Sequence, residues 1–431
     1  GGLQYGHTSD DWGTRFVCSN SNHIQQVIYP QRYLGRNPYF AAPALIRSIA
    51  TDGSSAPVYR LSPPEPWRII RQKWRAEAKG YKLVINDDGA WEFLPLDPSK
   101  KKGVVPTEYP IGYFTSATGI TIYRGDAYPE EFRGNAFVGD CGGNLVHRKT
   151  VNRDQVVYSS ARADAKTEFL RSRDNWFRPV NFVNAPDGAL YVLDMYRETV
   201  EHPYSIPAEI KKFLYLTSGS DRGRIYRLVS PGMKRKVVPR LGDLSSVELV
   251  SHLSSLNGWN RDTAQRLIWE RQDKRAVPAL VKTLTHAVPQ ARLHALYALA
   301  GLDSLKATHL QLVLRNDKHP RVRAHAVGLA EGFLDGKESG KLLEVLLPLA
   351  EDASPHVRFQ LAFTLGETDD PRAIEGLARL ASNEQNGAEV QTALLSSIGG
   401  SADRLAAALL ADKTFLAKKH AGAMLTQVML I

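Results

Sequence analysis

Arg178 stands in the run Asn175-Trp176-Phe177-Arg178-Pro179, and its planar guanidinium is the group best shaped to pair with a carboxylate or with two hydroxyls. A ligand carboxylate or a sugar hydroxyl is one partner for it, and an ion pair between neighbouring sheets is the other. Asp140, Asn144, Asp194 and His202 bring oxygen or imidazole donors into turns, where Ca²⁺ or a polar substrate can sit. Turn-capping hydrogen bonds account for Asp140 and Asn144 equally well. Tyr196 and Arg197 follow a strand pattern that ends at Asp194. They should emerge at one end of that strand, into a binding site or packed beneath the loop 198–216. His23 follows a Ser- and Asn-rich turn and is a candidate base near neutral pH, against the plainer reading as a turn histidine. His147 sits beside the core positions Leu145 and Val146 and reads as packing.

The elements that must position these residues come in two kinds. Up to about residue 230 the chain shows short β-rich runs separated by Gly, Pro, Asn and Asp turns, the habit of all-β folds. The runs resemble one another. Asp11 to Cys18 with His23 to Ile28 gives turn, strand, turn, strand; Phe132 to Asp140 with Asn144 to Arg148 repeats it; Asp187 to Asp194 repeats it again and closes at Gly223-Arg224-Ile225-Tyr226-Arg227. Recurrent units of this kind mark propeller blades. An insertion at about 71–108 interrupts them. In it, Asn86-Asp87-Asp88-Gly89 reads as a hairpin turn between residues 81–85 and 91–94, and Lys100 to Lys102 as a solvated exit.

A basic linker at 231–240 follows, holding Lys234, Arg235, Lys236 and Arg240, and from 241 the period becomes helical. Arg261, Arg292, Arg323 and Arg358 recur at 31, 31 and 35 residues, each followed by an Ala-rich helix. This is a helix-pair repeat of HEAT type, whose pairs bury their apolar faces by stacking. The recurring arginines are expected to bridge adjacent repeats. The concave face of the stack is expected to receive a partner. The fold class is therefore multidomain β + α: a partial β-propeller, the C-terminal blades of a six-bladed ring, followed by a HEAT-like α-solenoid. The chain opens on Gly1-Gly2 and ends in the apolar run Met424 to Ile431, so both ends look cut and the missing blades are expected upstream.

Composition narrows the choices. With 43% hydrophobic and 23% charged residues the chain is an ordinary globular protein, and no apolar run approaches the roughly 18 residues of a membrane helix. The net charge of +10 is spread among nearly as many carboxylates, without the aromatic-interleaved basic face that tracks nucleic acid. Cys18 and Cys141 are the only cysteines, which excludes a covalent haem site and a Cys-rich zinc motif. Isolated buried thiols are expected, with a disulfide as the alternative. No nucleophile elbow, P-loop, HExxH or GxGxxG fingerprint occurs.

The segment 175–192, with its Arg-bearing strand and Pro186-Asp187-Gly188-Ala189-Leu190-Tyr191-Val192, followed by Gly223 to Arg227, resembles the final blade of soluble quinoprotein glucose and sorbosone dehydrogenases. Phe114 to Asp126, Leu193 to Glu198 and Glu201-His202-Pro203 are more narrowly similar to the membrane-bound dehydrogenase domain of planctomycetes and verrucomicrobia. Those proteins join such a propeller to HEAT repeats and often to a C-terminal c-type haem domain, which this chain lacks. The resemblance implies an exported, periplasmic protein of the cell envelope. It also implies oxidation of a sugar or polyol with pyrroloquinoline quinone and Ca²⁺, the electrons passing to a haem domain. Arg178, Asp194, Tyr196, Arg197 and His202 are then the cofactor or substrate set, Asp140 and Asn144 the metal candidates, and His23 the catalytic candidate. Two other functions stand beside this one: a noncatalytic scaffold binding protein or glycan, and a calcium-dependent lactonase-like hydrolase. One propeller architecture hosts all three chemistries.

Overall fold

The computed structural model describes residues 6–87, 91–99, 105–106, 112–233, 236–336 and 339–431. Short apolar runs between tight turns build three up-and-down antiparallel sheets. The first runs β1 (His7–Ser9), β2 (Arg15–Ser19), β3 (Asn22–Val27) and β4 (Ile46–Ser48), in that spatial order, with helix α1 (Gln31–Leu34) between β3 and β4. Helix α2 (Pro66–Ala78) and the hairpin β5 (Tyr81–Ile85) and β6 (Trp91–Pro95) come next, the strands paired where the sequence places a hairpin. Lys100 to Lys102 and the turn residues Asp88 and Gly89 lie outside the described residues.

The second sheet is β7 (Ala117–Ile122), β8 (Ala136–Asp140), β9 (Leu145–Asn152) and β10 (Ser159–Arg162), with β11 (Leu170–Arg171) also on β9. The third is β12 (Pro179–Asn184), β13 (Leu190–Asp194) and β14 (Arg224–Arg227), with α3 (Ala208–Lys211) in the β13–β14 connection. Each sheet is thus a meander of sequential strands, the turn-and-strand unit read from the sequence. Among the described residues these sheets close into no barrel or propeller ring. What stands is a sheet-rich N-terminal region.

Two glycines set the packing of the sheets. Gly119 has φ +61° at an irregularity in β7, and a Cβ there would lie 2.6 Å from the Asn181 Cα, so its absence lets β7 lie directly against β12. Gly188, φ +82°, turns β12 into β13, and a Cβ there would meet Asp126 Oδ1 at 2.1 Å.

From residue 241 the described residues are helical: α4 (Ser246–Leu249), α5 (Gly258–Arg271), α6 (Val277–Thr283), α7 (Pro289–Gly301), α8 (Ala307–Asn316), α9 (Pro320–Ala330), α10 (Ser339–Leu346), α11 (Pro355–Thr364), α12 (Arg372–Ser382), α13 (Ala388–Ser396), α14 (Ala402–Ala411), α15 (Lys413–Leu416) and α16 (Ala421–Met429). Pro at the first position of α7, α9 and α11 starts each helix where the missing N–H costs nothing. Helices α5, α7, α9, α11 and α13 pack side by side as one layer, and α8 against α10 and α12 against α14 belong to the other.

Three of the four recurring arginines tie repeat to repeat, as expected of them. Arg292 grips Asp317 with Nε and Nη2, both at 2.6 Å, and donates to the His286 and Ala287 carbonyls. One repeat later Arg323 grips Asp352 at 2.8 and 2.9 Å and donates to the Asp317 carbonyl. Arg358 meets Asn386 instead, at 2.7 Å. Arg261, first of the series, reaches Asp11 in the N-terminal half.

That last contact belongs to a long joint. The layer of α5, α7, α9, α11 and α13 is contacted along its length by the chain's own N-terminal half. Trp12 stacks on His319, ring centroids 4.3 Å apart, and Tyr33 stacks on Phe363 at 4.3 Å and 8°. Arg124 forks onto Asp262 at 2.7 and 2.9 Å, and Asn37 Nδ2 donates to the Leu395 carbonyl at 2.7 Å. The solenoid core is continuous with Ile28, Tyr29, Tyr33, Leu34 and Val156. Burial of these large side chains contributes on the order of 1.5–3 kcal/mol each, so the two halves hold together through hydrophobic contact, with charge pairs at the rim.

Cys18 and Cys141 are separate, buried free thiols. Lys236, in the basic linker, pairs with Asp126 at 2.7 Å, while Lys234 and Arg235 lie outside the described residues.

Candidate functional site

Arg178 immediately precedes β12 and is fully buried. Its backbone N–H donates to Asp194 Oδ1 at 2.7 Å, and the same oxygen takes the Tyr196 N–H at 2.8 Å, so the end of β13 is sewn to the start of β12. The guanidinium is then spent on protein groups. Nε donates to the Arg197 carbonyl at 2.9 Å, Nη1 to the Cys141 carbonyl at 2.9 Å and Nη2 to the Glu198 carbonyl, and Nη2 also lies 2.9 Å from Glu65 Oε1 as an ion pair. Burial draws its pKa down, countered first by Glu65. The ion-pair reading of Arg178 therefore describes its geometry, and the pair joins a sheet to α2.

Glu65 is the residue that sequence reading missed. It occupies the N-cap position of α2, where a carboxylate faces the helix's positive end. Arg68 Nε lies 3.3 Å from it and Arg60 Nη2 3.8 Å. Burial pushes its carboxyl upward, but Arg68 and Arg178 together overcome that and hold it below the usual range. The signal available in the sequence was Glu65-Pro66-Trp67-Arg68, a helix start with Pro at N1 and a cation one turn in. Its partner, 113 residues away, was not legible.

Asp140 and Asn144 stand beside this cluster and use most of their capacity on protein groups, Asp140 on the turn that follows it and Asn144 on residues outside that turn. Asp140 Oδ1 accepts the N–H groups of Gly142 and Gly143 at 3.0 and 3.1 Å, Oδ2 is buried without a partner, and burial raises the pKa of the carboxyl. Asn144, at φ +56°, accepts from Ser62 at 2.7 Å and donates to the carbonyls of Asn175 and Phe177. These residues do not fit calcium. Arg60 and Arg68 act on Asp140 from nearby, Arg60 donates to the Asn144 oxygen, and among the described residues no group of three His, Cys, Asp or Glu is placed to hold a metal.

Tyr196, at φ +50°, packs against Trp176 and lies under the Arg224 guanidinium, 3.6 Å from its ring centre. Arg197 keeps a buried Nη1 without a partner. His202 is exposed and caps a short turn through the Tyr204 N–H. His23 lies in the first sheet, fully buried, stacked on Phe114 at 4.5 Å with Nδ1 2.6 Å from the Ser54 carbonyl. Burial first, then Lys149 and His147, draw its pKa down to about 3, so it is a neutral core imidazole sealed from substrate. His147 beside it is likewise buried, its Nδ1 2.6 Å from Glu168.

The charged cluster borders an open groove of about 540 Å³. Trp67, Ile70 and Trp74, at i, i+3 and i+7 of α2, form one wall. Ile210, Phe213 and Leu214 form the opposite wall, with Trp176, Asn175, Glu65, Glu198 and Glu209 around them. Arg68 and Arg71 lie over the Trp67 ring at 4.6 and 4.9 Å and both reach toward Glu201, which fixes that indole from behind.

Against known proteins, residues 307–399 match the model for HEAT repeats, and no curated protein matches the chain. Among solved structures, an engineered protein from a structural genomics consortium shares 19% identity over 43% of this chain and 96% of its own, with a TM-score of 0.26. A designed armadillo repeat protein shares 18% over 43% of this chain and 100% of its own, with a TM-score of 0.27. Residues 1–232, more than half the chain, match the model of a domain of unknown function, DUF7133, and the chain belongs to that family.

Proposed function

We propose that the chain is a noncatalytic scaffold that binds a glycan in the groove between α2 and the loop after β13, and a protein through its HEAT-like repeats. The observation that carries this is the groove's lining: Trp67, Trp74 and Trp176 beside Asn175, Glu198 and Glu209. Aromatic faces take up the apolar C–H face of a sugar ring, while carboxylates and an amide accept and donate to its hydroxyls. For the protein partner, the layer holding α8, α10, α12 and α14 is the surface offered, since HEAT repeats present such layers to other chains.

The resemblance to quinoprotein dehydrogenases supports a finer reading, in which the strands are blades of a propeller and the chain is part of a periplasmic sugar or polyol oxidoreductase. The meander order of each sheet favours it. In that reading pyrroloquinoline quinone, when bound, would supply the hydride-accepting carbonyl, and Arg197, whose Nη1 is buried without a partner, is the cation that would take a carboxylate. The calcium that both this reading and a lactonase would use lacks a fitting donor set at Asp140 and Asn144.

Trp74→Ala tests the groove, because Trp74 is partly exposed and its removal leaves the helix intact. Titrating soluble polysaccharides against both proteins by calorimetry should show binding to the native chain and a loss of about tenfold or more in the variant, as a stacking contact of roughly 1.5 kcal/mol implies. Undiminished binding would move the glycan elsewhere, and no binding to the native chain would remove the glycan from the reading.

A further inference from the structure

A second cleft, separate from the groove, lies in the joint itself. Its volume is about 530 Å³, within the range of roughly 300–1,000 Å³ that small-molecule sites occupy. Strands β2 and β3 supply Arg15 and Gln26, α1 supplies Arg32 and Tyr33, and α7, α9 and α11 supply Tyr297, Arg321, His325, His356 and Gln360. Three arginines and two histidines line it, and no carboxylate does.

How those cations are used decides what the cleft can do. Arg32 pairs with Glu331 at 2.9 Å, outside the lining. Arg321 donates through Nη1 to His356 Nδ1 and through Nη2 to Thr14 Oγ1, both at 2.8 Å, while its Nε is buried without a partner. Arg15 is exposed into the cleft, and its side chain has no hydrogen-bond or ion-pair partner among the described residues. Elsewhere along the joint the cations are matched: Arg124 by Asp11 and Asp262, Arg261 by Asp11, Arg47 by Glu389. In the cleft, by contrast, Arg15 and the Arg321 Nε are left without a partner among the described residues. Arg321 and His356 stand in the first turns of α9 and α11, so the positive ends of two helices add to it. Trp12, Tyr33, Tyr297 and Phe359 supply apolar surface around these charges.

We propose that this cleft binds a small organic anion with a ring or apolar body and a carboxylate, of the class of the sugar acids, with Arg15 taking the carboxylate and Arg321 Nε a second oxygen. A neutral sugar would leave both arginines unpaired, and a bare inorganic oxyanion would leave the aromatic surface bare. Because both halves contribute walls, occupancy would also brace the joint.

The test is isothermal calorimetry on the full chain at low salt, with D-glucuronate, glucose and inorganic phosphate as probes. Glucuronate should bind at millimolar concentration or tighter, with glucose silent and phosphate weaker and competing with it. Arg15→Ala, which removes an exposed side chain without a partner and keeps the strand backbone, should keep the native melting temperature and weaken glucuronate by about tenfold, as loss of one charge-assisted contact implies. Lys274→Ala, an exposed cation that lines no part of the cleft, should bind as the native chain does. Silence with glucuronate, equal loss in both variants, or full binding in Arg15→Ala would overturn the proposal. So would phosphate binding as tightly as glucuronate, which would reduce the site to a simple oxyanion hole.

Discussion

Arg321 Nη1 donates to His356 Nδ1 at 2.8 Å, while His356 Nε2 faces the Arg153 carbonyl at 2.9 Å. A ring nitrogen that accepts from a guanidinium carries no proton, so His356 is neutral in the closed joint and its Nε2–H donates to the carbonyl. It has company: His294, His325 and His356 fall at intervals of 31 residues on three successive helices of the covered layer. His325 faces the Trp12 carbonyl at 2.9 Å and the Tyr297 hydroxyl at 2.8 Å.

Acid should therefore loosen this joint. Burial first, then the arginines, draw all three histidines down to about 4, with Arg321 acting on His325 and His356 and Arg261 on His294. Asp154 opposes at His356, and the edge-on Tyr158 ring adds no charge. The folded values lie below the ordinary one, so between about pH 6.5 and 4 the unfolded chain binds more protons and stability falls as pH falls. The loss at pH 5 is on the order of 1–2 kcal/mol per histidine. His356→Gln can still donate to the Arg153 carbonyl and accept from Arg321 without titrating. Melting curves at pH 7.5, 6 and 5 should show a smaller acid-induced drop for this variant than for the native protein. Equal drops would take His356 out of the account.

Arg178 should behave as a structural cation. Removing it in Arg178→Ala leaves Glu65 buried with fewer partners, which costs about 3–5 kcal/mol. The variant should melt well below the native protein, and Glu65→Gln in the Arg178→Ala background should recover part of that loss by removing the uncompensated charge. A native melting temperature in Arg178→Ala would return the residue to the ligand set.

What could be read from the sequence was whatever repeats locally. Strand alternation from Arg15 to Val27 and from Ala136 to Asn152, and the Arg spacing of the helical half, each follow from neighbours a few residues apart. The partners were harder. Arg178 stayed open between a ligand-binding cation and an ion pair because the carbonyls of Cys141, Arg197 and Glu198 and the carboxylate of Glu65 converge on it only after folding. The joint was invisible for the same reason, since Trp12 and His319 are 307 residues apart and neither carries a motif. His294 and His325 were visible as recurring letters after the repeat arginines, yet their neutral, buried state comes from the sheet region that covers them.

The claim on which the rest depends is that the sheet-rich half covers α5, α7, α9, α11 and α13 and holds them in one body. Tyr33 is the residue to change: it is buried, stacks on Phe363 of α11 and bonds Glu331 at 2.6 Å. Hydrogen–deuterium exchange on the full chain, native against Tyr33→Ala, reads the joint directly. The account predicts slow exchange across α9 and α11 in the native chain and faster exchange there in the variant, with β7, β8 and β9 unchanged. Equal exchange of α9 and α11 in the two proteins would contradict it.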